Sequence, residues 1–246
     1  MIDVLSLALV TLSGLFLFLF ARFRRAGPAR LRAIPGLGRL YRAFGLSVED
    51  GTRLLVGLGG QSLLTQNAGA ALAGLSLLRA LSQKASVSDR PPVAVAGESA
   101  LAFLAQDTLH AGYRAVGAGE FYQPVTGRLA GMTAFSSAAA TIPMLGDENV
   151  SLAALVGNFG IEAGLLSEAA ERARVLLIGA TSDPAGQSVL YATASEALIG
   201  EELFAAPVYL ASAPGIAANL ILQDILRWLI VLGLLLGSAL KLLGVM

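Results

Sequence analysis

The stretch AALVGNFGIEAGLLSEAAERARVLLIG, residues 153–179, decides the fold that this sequence predicts. A short apolar run at 153–157 ends in glycine, a helical pattern follows over 161–174, and a second apolar run occupies 175–179. Runs this short and this apolar are typical of strands buried on both faces of a sheet. A strand, a helix and a second strand in this order predict a parallel pair joined by a right-handed crossover.

The same pattern extends in both directions along the chain. Further apolar runs that end in glycine predict strands at 54–57 and 93–97, and weaker patterns indicate strands at 125–129 and 188–192. Helical patterns predict the other helices at 62–85, 98–116, 132–145 and 195–205. The predicted fold class is therefore α/β, with a mostly parallel, Rossmann-like doubly wound sheet flanked by N- and C-terminal transmembrane helices.

In such a sheet, ligands favour the crevice at the carboxyl ends of the strands. The residues expected at that edge, taken as candidate ligand-binding residues, are Gly57, Gly59, Gly60, Gly97, Glu98, Gly157, Asn158, Gly160, Thr181 and Asp183. Two interpretations stay open, because glycines in tight strand-to-helix turns serve the fold as well as a small-molecule site.

The dinucleotide fingerprint is incomplete at both glycine-rich turns. Gly57-Leu58-Gly59-Gly60 contains G-x-G, but no glycine stands three residues after Gly59, and the turn at 157–160 lacks the G-x-G start. Neither turn has a convincing ribose-binding acid at the expected distance, and no phosphate-binding G-x-x-x-x-G-K-[ST] motif occurs.

The composition disfavours an enzyme. The chain has no cysteine and a single histidine, His110, which excludes thiolate chemistry and makes a Ser-His-Asp triad or a histidine-rich metal site hard to build. Asp107 lies three residues before His110 on one helix face, where the two side chains are able to pair. Glu98 stands where a carboxylate caps a helix. We therefore predict no catalytic residue, no metal site and no cofactor.

The two ends of the chain are strongly apolar. The sequence is 55% hydrophobic and 14% charged, with a mean hydropathy of +0.71, and much of the apolar excess lies at 4–20 and 228–245. We predict transmembrane helices at 1–21 and 228–246, a basic juxtamembrane linker at 22–48, an α/β domain at 49–213 and an amphipathic lead-in at 214–227.

The distribution of charge predicts how the chain is oriented. Basic residues follow the first apolar segment, so the N- and C-termini are expected outside and the domain in the cytoplasm, at the inner membrane of a bacterium. The residues expected at the membrane surface, in contact with anionic headgroups, are Arg22, Arg24, Arg25, Arg30, Arg32 and Trp228. Between residues 49 and 224, sixteen acidic residues stand against eight basic ones, which argues against a nucleic-acid partner.

Gly233 and Gly237 form a G-x-x-x-G pair on the second apolar segment. This spacing lets two helices approach closely, either within one chain or between subunits. The motif leaves both possibilities open.

Four separated segments, at 71–81, 105–109, 156–163 and 199–206, resemble in the same order an uncharacterised family of bacterial two-span membrane proteins, a domain of unknown function seen in filamentous green bacteria and relatives. The resemblance covers most of the α/β domain. It implies no activity, cofactor or catalytic residue, and it draws attention to Gln106-Asp107 and Gly200-Glu201-Glu202.

From these features we expect a membrane-anchored scaffold or structural subunit whose cytoplasmic α/β domain self-associates into a homo-oligomer or larger membrane complex. The alternative is a membrane-tethered sensor that binds a nucleotide-like or other anionic small molecule at the glycine-lined strand ends.

Overall fold

The computed structural model describes residues 33–60, 63, 68–86, 88–210 and 223–232, together with residues 11, 14, 15, 234, 235, 238 and 241. The chain divides into two compact units. One is Arg32–Ala211, which contains the sheet, and the other comprises Met1–Leu31 and Ser212–Met246.

The centre of the first unit is a six-stranded sheet in the order β3-β2-β1-β4-β5-β6, in which every pairing is parallel. This order is the doubly wound arrangement of dinucleotide-binding folds and confirms the predicted Rossmann-like α/β class. The strands are β1 Arg53–Gly59, β2 Val93–Ala96, β3 Gly127–Leu129, β4 Val150–Asn158, β5 Leu176–Thr181 and β6 Glu196–Leu198.

Helices cover both faces of the sheet. Helices α4, α5 and α6 pack on one face, and α1, α2, α3 and α7 pack on the other. The helices are α1 Pro35–Glu49, α2 Ala68–Ala85, α3 Ser99–Ala115, α4 Ala134–Asp147, α5 Ala163–Arg172, α6 Pro184–Thr193 and α7 Glu202–Leu210. Two short 3₁₀ helices, Gly119–Phe121 and Pro124–Thr126, lie between α3 and β3.

The central strands are apolar throughout because both of their faces are buried. Leu55 and Leu155 point toward α4, α5 and α6 and belong to one core cluster with residues of those helices. Leu54 and Val56, on either side of Leu55 in the chain, point to the opposite face and are also buried. Continuous apolar runs therefore predicted these strands correctly.

Helix α1 begins inside the stretch that the sequence analysis treats as a linker. Pro35 occupies the first turn of this helix, where its missing N–H costs no hydrogen bond. Leu37, Leu40 and Phe44 follow at helical spacing and are buried. Arg39 reaches the edge strand β6 and pairs with Glu196 at 2.5 Å. The compact unit thus includes α1 as a structural helix.

The last two predicted elements of the domain were wrong. Residues 188–192, expected as a strand, lie inside α6, because Asp183 caps this helix by accepting a hydrogen bond from the N–H of Gly186 at 2.9 Å. Residues 195–205, expected as a helix, are instead β6, a turn, and the start of α7. The turn contains Gly200 in the left-handed region, with φ 62°, which glycine adopts without strain.

Most of the predicted membrane segments lie outside the described residues, as do Arg22, Arg24, Arg25, Arg30, Arg32, Gly233 and Gly237. Among the helices that the structure describes, none is both long enough and apolar enough to cross a membrane. Residues 223–232 are helical, and Asp224 lies 3.9 Å from Arg227 in an i,i+3 ion pair.

Candidate functional site

Strands β1 and β4 are neighbours at the centre of the sheet, and the helices that follow them, α2 and α5, pack on opposite faces. This divergence defines the switch point, the position at which doubly wound sheets bind ligands. The structure brings the predicted site residues to this edge. They lie at the end of a strand or directly after it: Gly57, Gly59 and Gly60 at the end of β1, Gly97 and Glu98 after β2, Gly157, Asn158 and Gly160 at the end of β4, and Thr181 and Asp183 at the end of β5.

Glycine is required at this edge because the backbones of β1 and β4 approach closely. Gly59 has φ 78°, and a Cβ there would lie 2.3 Å from the carbonyl oxygen of Asn158. A Cβ on Gly157 would lie 2.1 Å from the carbonyl oxygen of Leu58. A side chain at either position would collide with backbone, which has no room to move. These two glycines therefore serve the packing of the sheet.

A second close contact joins the ends of β1 and β2. The N–H of Gly97 donates to the carbonyl oxygen of Gly59 at 2.8 Å, and a Cβ on Gly97 would lie 2.8 Å from the Cα of Gly60. The carboxylate of Glu98 accepts from the N–H of Leu101 at 2.8 Å and caps α3. The capping role expected for Glu98 is thus present, and its carboxylate stabilises the first turn of the helix.

Phe159 fills the switch point from within. Its side chain is buried, and its ring atom Cζ lies 3.1 Å from the position that a Cβ on Gly57 would take. The hydroxyl of Thr181, itself fully buried, accepts from the N–H of Phe159 at 2.9 Å and donates to its carbonyl oxygen at 2.8 Å. The neighbouring strand β5 thereby fixes the backbone that carries the ring.

Phe159 was not among the residues predicted at this edge. The available signal was an aromatic residue directly after Gly157-Asn158, in a strand-to-helix connection where dinucleotide-binding folds place glycines.

Little free space remains beside the ring. The pocket beside the ring has a volume of about 10 Å³, enough for one water molecule and far below the size of a small-molecule pocket. Its lining includes Gly57, Gly60, Ser137, Thr141, Phe159 and Glu162. This volume refers to the described residues, which exclude most of the loop between β1 and α2.

The polar groups at the rim hold the local backbone. The hydroxyl of Ser182 donates to Oδ1 of Asn158 at 3.0 Å, and Oε1 of Glu162 accepts from the N–H of Gly160 at 2.8 Å. Asp183 caps α6 as described above. Each of these side chains thus satisfies a group of the protein itself, which makes the rim rigid.

His110 is distant from this edge in the chain and stacks on Tyr122, with ring centroids 4.9 Å apart. Burial, and secondarily the negative charge of Asp107, raise the pKa of Tyr122 above its ordinary value. The His110 ring therefore has a structural contact in the helix-to-strand connection. Within the part of the chain that the structure describes, no three acidic or histidine side chains come together as metal ligands.

A larger, open groove of about 690 Å³ lies at the opposite end of the sheet, between α5 and α6. Glu171 and Arg174 line it, and so does Ser167, whose hydroxyl has no hydrogen-bond partner among the described residues. That hydroxyl is shielded from solvent, so a molecule in the groove reaches it only if the side chain turns.

The fold and this edge together define a class: a parallel, doubly wound α/β domain whose switch point is occupied by its own aromatic side chain. A family model described as "Domain of unknown function (DUF6754)" matches residues 2–246. The chain therefore belongs to this family, which confirms the resemblance at the level of the family. That description names no activity, location or organism, so the membrane and bacterial details stay predictions. In comparisons with curated proteins and with solved structures, nothing matched the chain.

Proposed function

We propose that this protein is a membrane-anchored structural subunit whose α/β domain self-associates on the cytoplasmic side of the inner membrane. The observation that carries the proposal is the packed switch point. Where this fold class normally receives a ligand, the ring of Phe159 lies against Gly57 and about 10 Å³ remains free. A domain that fills this position from within is better suited to making contacts than to turning over a substrate.

The helix at 223–232 supports a membrane anchor. Five consecutive helical residues, Trp228, Leu229, Ile230, Val231 and Leu232, are all exposed. Because one helical turn takes 3.6 residues, these side chains surround the helix on every side. Apolar groups exposed all round are stable in a lipid environment and unfavourable in water.

The positions at which the chain enters and leaves the domain lie close together. Ala33 and Ile34, just before α1, line the same cavity as Tyr209, near the end of α7. The two connections to the apolar ends of the chain therefore start from neighbouring points of the domain. The match to the family model also runs through both apolar ends.

Two measurements test this proposal. If the chain is an integral membrane protein, it stays in the membrane fraction after alkaline carbonate washing. Light scattering of the full chain in mild detergent then gives the mass of the particle. We expect a mass that is a multiple of the chain's 25.2 kDa after subtraction of detergent. Release by carbonate, or a strict monomer at every concentration, contradicts the proposal.

A sensor of nucleotide-like or anionic small molecules is the second candidate. The strand order and the glycines after β1 favour it, because dinucleotides bind in folds of this topology at this position. Ligand entry there requires the ring of Phe159 to move. A thermal-shift series with NAD, ATP and cyclic dinucleotides tests the candidate, since any ligand that binds the folded state raises Tm. If none of these compounds raises Tm, this candidate fails.

A further inference from the structure

Four large apolar side chains lie exposed around the edge strand β3. They are Phe103 on α3, Leu129 at the end of β3, Met132 in the following loop and Phe135 in the first turn of α4, and we call this group the β3-edge patch. Phe103 is 72% exposed and Met132 77% exposed. Side chains of this size at such exposure are unfavourable in water unless another surface covers them.

The contacts of α3 with β3 bring Phe103 and Leu129 to one region, and Met132 and Phe135 follow Leu129 closely in the chain. The side-chain amide of Gln106 donates to the carbonyl oxygen of Gly127 at 2.8 Å, so α3 runs directly along this strand. Phe103 lies one helical turn before Gln106 and on the same face. Leu129 lies two residues after Gly127 and on the same side of the strand, and Met132 follows three residues later.

The outer edge of β3 is open within the described residues. Strand β3 pairs with β2 alone and ends the sheet on this side. The opposite end of the sheet differs, because Arg39 of α1 reaches Glu196 of β6 and covers part of that edge. The apolar residues thus flank the less protected of the two edges.

The charge pattern indicates what covers the patch. The compact unit at 32–211 carries fifteen acidic and eleven basic side chains, so each of two copies brings a net negative charge to a contact. Residues 129–146, which supply most of the patch, contain no charged side chain. In a two-fold contact the same patch of both copies meets. Two uncharged apolar patches can pack together, whereas two acidic patches repel each other.

The size of the patch fits such a contact. Since a large side chain of this kind has an area of roughly 150–250 Å², the exposed fractions amount to about 500 Å² of apolar surface per copy. A stable interface buries about 800 Å² per partner, including its polar rim. The patch therefore supplies an apolar centre of adequate size for a dimer contact.

We propose that the β3-edge patch is the surface through which two copies of this chain meet. This inference rests on the proposed function, since it names the surface by which the domains self-associate. A second copy covers Phe103, Leu129, Met132 and Phe135 with the same four residues of its own.

Cross-linking tests this surface directly because the chain has no cysteine of its own. Two single-cysteine variants of the full chain, Met132→Cys and Tyr191→Cys, are treated in membranes with a short bismaleimide. Tyr191, on α6, is a matched control because it is 77% exposed, as Met132 is. We expect a cross-linked dimer from Met132→Cys and severalfold less from Tyr191→Cys. Equal yields, no dimer, or more dimer from Tyr191→Cys overturns the assignment of the surface.

A mass measurement separates failure of this surface from failure of the proposed function. The double variant Phe103→Asp/Met132→Asp introduces charges at the proposed contact, and we expect it to be monomeric in mild detergent with its thermal unfolding retained. If the variant keeps the mass of an oligomeric parent, the surface is wrong while self-association stands. If the parent chain is itself monomeric, the proposed function fails together with this inference.

Discussion

The ring of Phe159 lies against Gly57, with its Cζ atom 3.1 Å from the position that a Cβ on Gly57 would take. The contact joins the residue that follows β4 to the last residues of β1, at the centre of the sheet. A ligand of a doubly wound fold normally lies between these strand ends. Because of the contact between Phe159 and Gly57, this edge is packed where such folds have an open binding crevice.

Removing the ring is expected to destabilise the domain strongly. Phe159→Ala leaves a cavity between β1 and β4, and truncation of a buried phenylalanine costs about 3–5 kcal/mol. Urea unfolding of the full chain in mild detergent measures the free energy of unfolding. Phe121→Ala is the control, because Phe121 is exposed and its truncation is expected to change stability by less than about 0.5 kcal/mol. Equal losses from the two variants would contradict a packed switch point.

The hydroxyl of Thr181 is expected to contribute to the free energy of unfolding of the domain. Thr181→Val keeps the shape of the side chain but leaves the N–H and the carbonyl oxygen of Phe159 without their partner, at a cost of about 1–3 kcal/mol. Thr193→Val is the matched control, because Thr193 is exposed and bonds only within its own helix. The prediction fails if both variants unfold at the same urea concentration as the parent chain.

Sequence patterns predicted the sheet well where strands are buried on both faces. The runs at 153–157 and 175–179 are continuous apolar segments, and no amphipathic helix has that pattern. The pattern failed at 188–192, where the run is equally short but less apolar and belongs to a helix that starts at the Asp183 cap. It also missed α1, because Pro35, Gly36 and Gly38 mimic a linker although Leu37, Leu40 and Phe44 follow at helical spacing.

The location of the candidate site could be predicted from the order of strands and helices in the sequence. The packing of Phe159 at that site could not. Carboxyl ends of parallel strands meet at one edge, so Gly57, Gly97 and Gly157 were expected together and are found together. The direction of the Phe159 ring depends on the missing Cβ of Gly57 and on a hydroxyl twenty-two residues away in the chain. Such contacts depend on three-dimensional packing and leave no local pattern in the sequence.

The amino end of the sheet carries an ionic cluster with a predictable response to pH. The carboxylate of Glu148 is hydrogen-bonded to Arg53, at the start of β1, and to Arg128, in β3. Burial by itself raises the pKa of Glu148, but the hydrogen bonds and charges of Arg128 and Arg53 outweigh it and bring the pKa below the ordinary value of 4.5. The native state therefore releases this proton at a lower pH than the unfolded state does.

This cluster is expected to stabilise the domain at neutral pH and to lose its effect as the pH falls below about 4.5. Glu148→Gln leaves two partly buried arginines without their counter-ion, which costs about 1–3 kcal/mol at pH 7. The parent chain loses the same contribution in acid, where Glu148 is protonated. The difference in the free energy of unfolding between the parent chain and Glu148→Gln is therefore expected to become smaller at acid pH. Glu168→Gln is the control, since the pair of Glu168 with Arg172 is exposed and contributes less than about 0.5 kcal/mol. A difference that stays constant from pH 7 to pH 3 would argue against the cluster.

Gly74 is expected to set the distance between α2 and the sheet. A Cβ at this position would lie 2.3 Å from the carbonyl oxygen of Val156 in β4, so Gly74→Ala forces the helix away from its strand and costs about 1–3 kcal/mol or more. Gly45→Ala, in α1, is the matched control, because no atom lies within 4 Å of the added Cβ. There the substitution is expected to stabilise by about 0.4–1 kcal/mol, since alanine restricts the unfolded chain and favours a helix. Thermal unfolding of the two variants is therefore expected to shift Tm in opposite directions, down for Gly74→Ala and up for Gly45→Ala. Shifts of Tm in the same direction would show that Gly74 does not set the distance between α2 and β4.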